Sequence, residues 1–195
     1  MSSGGSCTSD VKTEDWLRAL SIIFGLICVL LSFVVLAYPG LDILTLVLLL
    51  ATALLVIGIG RIIIGIFAEN ISFRLRAIDV GAALLGIAIT ITALLFYSQF
   101  ITQTLIQLLS IALLAHGIIS AVIGGFAETL SGPLRGLLVT VGLLSIVLAV
   151  IASVFVSLDF LSLIHILAIG YLSIGIADIL LGLTGIKRIP PVLKK

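Results

Sequence analysis

Charge is what this chain has least of. Only 10% of its 195 residues are Asp, Glu, Lys or Arg, whereas a soluble domain keeps its surface wet with roughly 25%. A water-facing globule is therefore not what the composition describes. The net charge is +1, so neither a basic nor an acidic balance points to nucleic acid or to an acidic partner. Cysteine is nearly absent. Cys7 sits in a polar tail and Cys28 in an apolar run, which reads as two unrelated free thiols rather than a disulfide framework. The constellations of enzyme chemistry are missing too: there is no paired-carboxylate site with a base, no Cys–His pair and no metal-ligand cluster. The glycines fall inside apolar runs rather than between a strand and a helix, so they form no phosphate loop. The sequence predicts no enzyme activity, no cofactor, no bound metal and no nucleic-acid partner.

Apolar residues fill the space that charge leaves. They make up 62% of the chain, and mean hydropathy is +1.46. They fall into six runs, roughly 17–38, 42–67, 77–97, 100–126, 136–156 and 160–185. A helix needs about 20 such residues to cross the hydrocarbon core. The predicted fold is an all-α membrane protein of six transmembrane helices, with the lipid bilayer as its first partner; a homo-oligomer or a membrane-protein partner is left open. Residues 1–15 read as a flexible tail, 16–186 as the transmembrane domain and 187–195 as a basic tail. A secretory signal ends in a small-residue cleavage site. The first run ends instead in Ala37-Tyr38-Pro39-Gly40, so it is expected to stay as a helix.

The breaks between runs alternate. Three short ones hold Pro39-Gly40-Leu41-Asp42, Ser98-Gln99 and Ser157-Leu158-Asp159, with no Lys or Arg. Two longer ones hold Glu69-Asn70 with Arg74 and Arg76, then Glu128 through Arg135. With six spans, the longer breaks share a side with both termini. Lys12, Arg18, Arg74, Arg76, Arg135, Lys187, Arg188, Lys194 and Lys195 all lie on that side. The positive-inside rule then puts both termini in the cytoplasm and the chain in the cell membrane.

The runs also repeat. Leu17-Arg18, Leu75-Arg76 and Leu134-Arg135 open the odd spans at spacings of 58 and 59. In the even spans, GIGRIIIGIFAEN from Gly58 aligns with GIISAVIGGFAET from Gly117 and GIADILLGLTG from Gly175. Three tandem hairpins follow, 16–70, 74–129 and 133–186, all inserted the same way up. Parallel repeats of this kind are related by an axis along the membrane normal, here a pseudo-threefold one.

Stepping 3, 4, 3, 4 from each opening Arg traces one helix face of small residues that includes Gly25, Gly86 and Gly142. The even spans do the same through Gly58 and Gly65, Gly117 and Gly124, and Gly175 and Gly182. In lipid, small residues let helix backbones approach. These glycines are read as packing positions, with lining a path as the alternative.

Ionisable groups within spans cost about 2.5–3.5 kcal/mol each on insertion scales, so each asks for a partner. Arg61, Ser120 and Asp178 occupy one slot of the three repeats. A threefold axis would bring them together, and Arg61 is expected to pair with Asp178, with Asp79, or with both. The alternatives are an Arg61 that snorkels to the interface and an ion or proton relay. His116 and His165 lie about 15 Å apart in depth and read as separate hydrogen-bonded packing residues.

A hairpin with a Gly in its first helix, Tyr38-Pro39 at its tip and Gly-x-x-x-x-x-x-Gly in its second helix resembles the HdeD family of prokaryotic membrane proteins. The resemblance covers about residues 16–186. The second and third units carry Tyr97-Ser98 and Ser157-Leu158 in place of the Tyr-Pro tip. It implies a multi-pass cytoplasmic-membrane protein with a structural or stress-related role, some members being linked to acid resistance. The other functional class is a small channel or transporter for protons or a small solute, using Arg61, Asp79 and Asp178.

Overall fold

The computed structural model describes residues 7–67, 73–95, 102–126, 132–155 and 159–184. They form six helices: α1 (Cys7–Ala37), α2 (Ile43–Phe67), α3 (Phe73–Leu95), α4 (Thr102–Phe126), α5 (Gly132–Val154) and α6 (Phe160–Thr184). Helix is the form these residues require in lipid, where no water is present to satisfy backbone N–H and C=O groups. Five of the six are long and apolar enough to cross a membrane: Trp16–Ala37, Ile43–Ile63, Gln103–Phe126, Gly132–Val154 and Phe160–Thr184. Among its described residues α3 contributes a shorter apolar stretch, Ala83–Thr92. α1 begins at Cys7, well ahead of the apolar run expected to open the domain. Cys7 and Cys28 therefore share one helix about 31 Å apart, which rules out a bond between them within the chain.

The turn between α1 and α2 has an explicit local cause. Pro39 lacks an N–H and pushes Tyr38 away from helical geometry. The Tyr38 N–H still reaches Val34 O at 3.0 Å, and Leu41 N–H closes the turn on Tyr38 O at 3.2 Å. Asp42 and Asp159 each stand just before a helix, and their carbonyls accept the first helical bond from Leu46 and Leu163, both at 3.1 Å. These two carboxylates, the only charges of the short breaks, occupy the N-cap position that Asp favours.

Packing distinguishes the even helices from the odd ones. α1 lies most extensively against α6, α2 against α3, and α4 against α5; contacts of α1 with α2, α3 with α4 and α5 with α6 complete a ring in chain order. α2, α4 and α6 also touch one another, whereas among the described residues α1, α3 and α5 do not. Half of the most apolar window of α2 is buried, as is 44% of those of α4 and α6, against 22% for α1 and 28% for α5. The even helices are the inner ones. Their meeting faces stack Leu46, Leu105 and Leu163, then Leu50, Leu109 and Leu167, then Leu54, Leu113 and Tyr171, all 3% exposed or less. The Tyr171 hydroxyl donates to Leu109 O at 3.1 Å. On α1, Cys28 is buried and its thiol donates to Tyr171 O at 3.3 Å.

The three most extensive pairs are antiparallel and meet where side chains are smallest. A Cβ on Gly25 would lie 2.7 Å from Gly175 O, and one on Gly142 would lie 2.7 Å from Gly117 O. In the third pair, Gly58 faces Ala83, with Ala83 O 3.2 Å from the position of a Cβ. Gly124 and Gly182 are similarly close to the backbones of Arg135 and Arg18, at 2.9 Å each, whereas Gly86 faces only the Leu54 side chain at 3.6 Å. The surroundings of Gly65 lie outside the described residues. Arg135 has a further role. Its guanidino group donates to Gly124 O at 3.2 Å and Gly125 O at 2.7 Å, covering carbonyls that the last turn of α4 leaves open.

Candidate functional site

Above the Leu54–Leu113–Tyr171 layer, toward the end where α1 begins and α6 ends, the inner helices turn polar. α2 supplies Arg61, α4 supplies Ser120 and α6 supplies Asp178. Arg61 lies six residues before the last residue of α2, about 9 Å along the axis. Its Nη2 donates to Ser120 Oγ at 3.4 Å and stands 4.0 Å from Asp178 Oδ1. The two charged side chains are only 13% and 16% exposed. The slot that the repeats share thus brings Arg61, Ser120 and Asp178 together. The side chain of Asp79, the other expected partner, lies outside the described residues.

Two further residues belong to the cluster. Ser21 on α1 donates to the Asp178 carbonyl at 2.8 Å, so the outer helix α1 is tied to α6 at the level of the charge pair. The signal for it was present in sequence, because Ser21 lies on the small-residue face of the first span, one turn from Arg18. His116 on α4 sits one turn further into the membrane than Ser120. Its side chain is buried, and its Nε2 makes no hydrogen bond to any described protein group. The corresponding positions of α2 and α6 are Ile57 and Ile174, also buried. The cluster is thus a ring of Arg, Ser and Asp over a layer of Ile, His and Ile.

His165 behaves differently. It is half-buried near the opposite end, and its Nδ1 donates to Leu161 O at 2.6 Å within α6. It has the hydrogen bond expected of a packing histidine; the Nε2 of His116 does not. The two histidines form no pair, and no group of three or more His, Cys, Asp or Glu among the described residues could hold a metal.

Chemically, the cluster offers a guanidinium with five donors, a carboxylate, two hydroxyls and an imidazole. These groups suit charge neutralisation within a low-dielectric region. No described nucleophile is hydrogen-bonded to a base. Below the cluster, the three Leu- and Tyr-containing layers continue toward the other end of the bundle, and the buried hydroxyls at that level are turned to backbone carbonyls, Tyr171 to Leu109 O and Ser110 to Ile106 O.

No family model, curated protein or solved structure matches this chain. The apolar helical bundle is that of a multi-pass membrane protein.

Proposed function

We propose that this chain is a cell-membrane protein of the HdeD type, with both termini cytoplasmic, whose role is structural or stress-related rather than conductive. In this reading the bundle is three tandem hairpins about a pseudo-threefold axis. The antiparallel glycine contacts at corresponding positions of three helix pairs support it, as does the shared slot of Arg61, Ser120 and Asp178. The observation that carries the functional half is the stack of Leu46, Leu50 and Leu54 against Leu105, Leu109 and Leu113 and against Leu163, Leu167 and Tyr171. A conduit needs polar groups or water along its length, and this stack closes the meeting faces of the inner helices over about two helical turns.

A second reading has one observation in its favour. Arg61 and Asp178 face each other within the span-forming helices, and ionisable groups at such depth are the usual mark of an ion or solute path. The chain would then be a small channel or transporter for protons or a small solute, working through Arg61, Asp79 and Asp178. Flux into liposomes separates the two. We expect no movement of protons, common ions or small solutes above that of protein-free vesicles. A flux present in the wild type and lost in both Arg61→Ala and Asp178→Ala would overturn the structural reading.

A further inference from the structure

Arg18 on α1 and Arg135 on α5 hold corresponding places against their neighbours. The Arg18 carbonyl lies 2.9 Å from the position of a Cβ on Gly182 of α6, and the Arg135 carbonyl lies 2.9 Å from that of a Cβ on Gly124 of α4. The two side chains nevertheless diverge. Arg135 turns to the end of α4 and donates to Gly124 O at 3.2 Å and Gly125 O at 2.7 Å. The Arg18 side chain is exposed and makes no hydrogen bond or ion pair with a described residue.

The difference has a local cause. Gly125 has no side chain, and nothing lies within 4 Å of its Cβ position, so a guanidino group can settle over the last turn of α4. The corresponding residue of α6 is Leu183. A branched side chain therefore stands where Gly125 leaves the carbonyls open, and the Arg18 donors are left facing outward.

Depth says what they face. Arg18 is two residues, about 3 Å of rise, inside Trp16, which opens the apolar span Trp16–Ala37 and is itself exposed. Trp favours the headgroup level of a bilayer. The Arg18 guanidinium is therefore held where lipid phosphates lie. Its planar fork of donors matches a phosphate in charge and in geometry. Further into the span, the exposed Ile23 and Leu26 of α1 present apolar surface to an acyl chain, and the exposed Leu183 does so from α6.

We propose that Arg18 binds the phosphate of an anionic phospholipid at the end of the seam between α1 and α6. The headgroup covers that end of the seam, whereas the corresponding end of the α4–α5 seam is closed by Arg135 itself. One of two equivalent arginines thus serves the protein and the other serves the bilayer.

The proposal rests on the chain spanning a membrane and on neither functional reading. Full-length protein purified in detergent is titrated with dioleoylphosphatidylglycerol, and the lipid it retains is counted by native mass spectrometry. The wild type is expected to retain this lipid in preference to dioleoylphosphatidylcholine. In Arg18→Gln the bound fraction at equal lipid should fall about five-fold or more, as loss of a charge-assisted hydrogen bond implies. Arg135→Gln should retain the lipid as the wild type does, although it removes the same charge. Unchanged retention in Arg18→Gln overturns the proposal. So does an equal loss in the two variants, which would mean attraction to net charge alone. Equal retention of the two lipids by the wild type also overturns it, as does release of the bound lipid by inorganic phosphate, which would make Arg18 a site for a free anion.

Discussion

Gly142 has no room for a methyl group. A Cβ there would stand 2.6 Å from the Ala121 backbone nitrogen and 2.7 Å from Gly117 O, and neither backbone can swing away as a flexible side chain would. Gly136, on the same helix, is exposed with nothing within 4 Å of its Cβ position. Gly142→Ala is expected to destabilise the fold by about 1–3 kcal/mol through overpacking, whereas Gly136→Ala is expected to be neutral or mildly stabilising, since Ala is the better helix former. Unfolding midpoints of the two variants in the same detergent check this; equal midpoints would remove the argument from close approach. The glycine positions themselves were visible in the sequence. Which of them face a neighbouring backbone, and which only a side chain as Gly86 does, depends on where the neighbouring helix runs.

At the level of elements, the Arg61–Asp178 interaction joins α2 to α6, helices separated by most of the chain. Each charge is held in a setting where an unmatched charge is expensive. Arg61→Asp places two carboxylates in one site and should destabilise the bundle strongly. Adding Asp178→Arg restores opposite charges, and the double variant is expected to recover part of the loss, with a coupling of about 0.5–3 kcal/mol. A double-mutant cycle on unfolding free energy measures it; strict additivity would mean that the two side chains act independently. The common slot of Arg61, Ser120 and Asp178 was legible from repeat spacing alone. The choice among partners for Arg61 was not, because it depends on which helices surround α2. Nor was the isolation of His116 Nε2, since a sequence carries no record of which polar atoms go unmatched.

Across the whole molecule, the packing of the helices sets which helix ends lie together. α1 and α6 are antiparallel neighbours, so the start of the first helix and the end of the last lie at one end of the bundle. Arg18 lies at that end, its backbone against Gly182. In the proposed topology that end is cytoplasmic, and a cysteine introduced at Leu41 in a Cys7→Ser, Cys28→Ser background should then react with a membrane-impermeant thiol reagent added to intact cells. One introduced at Arg188 should react only after permeabilisation. The reverse pattern would invert the topology, and labelling of both in intact cells would break the even count of spans.

The sequence by itself determined the solvent, because a chain with so little charge and such long apolar runs has no other environment in which to fold. It also determined the helices, since backbone groups in lipid must bond within their own segment, and it marked the close-packing faces by their small residues. Only the tertiary structure decided that the closest partners are α1 with α6, α2 with α3 and α4 with α5, rather than the two helices of each hairpin. Linkage along the chain constrains which helices are near. Closest approach is set by which small faces meet, and lipid gives no hydrophobic penalty that would reveal this from one helix alone. For the same reason, the polar cluster became a site only once Ser21, Arg61, His116, Ser120 and Asp178 were brought together from four different helices.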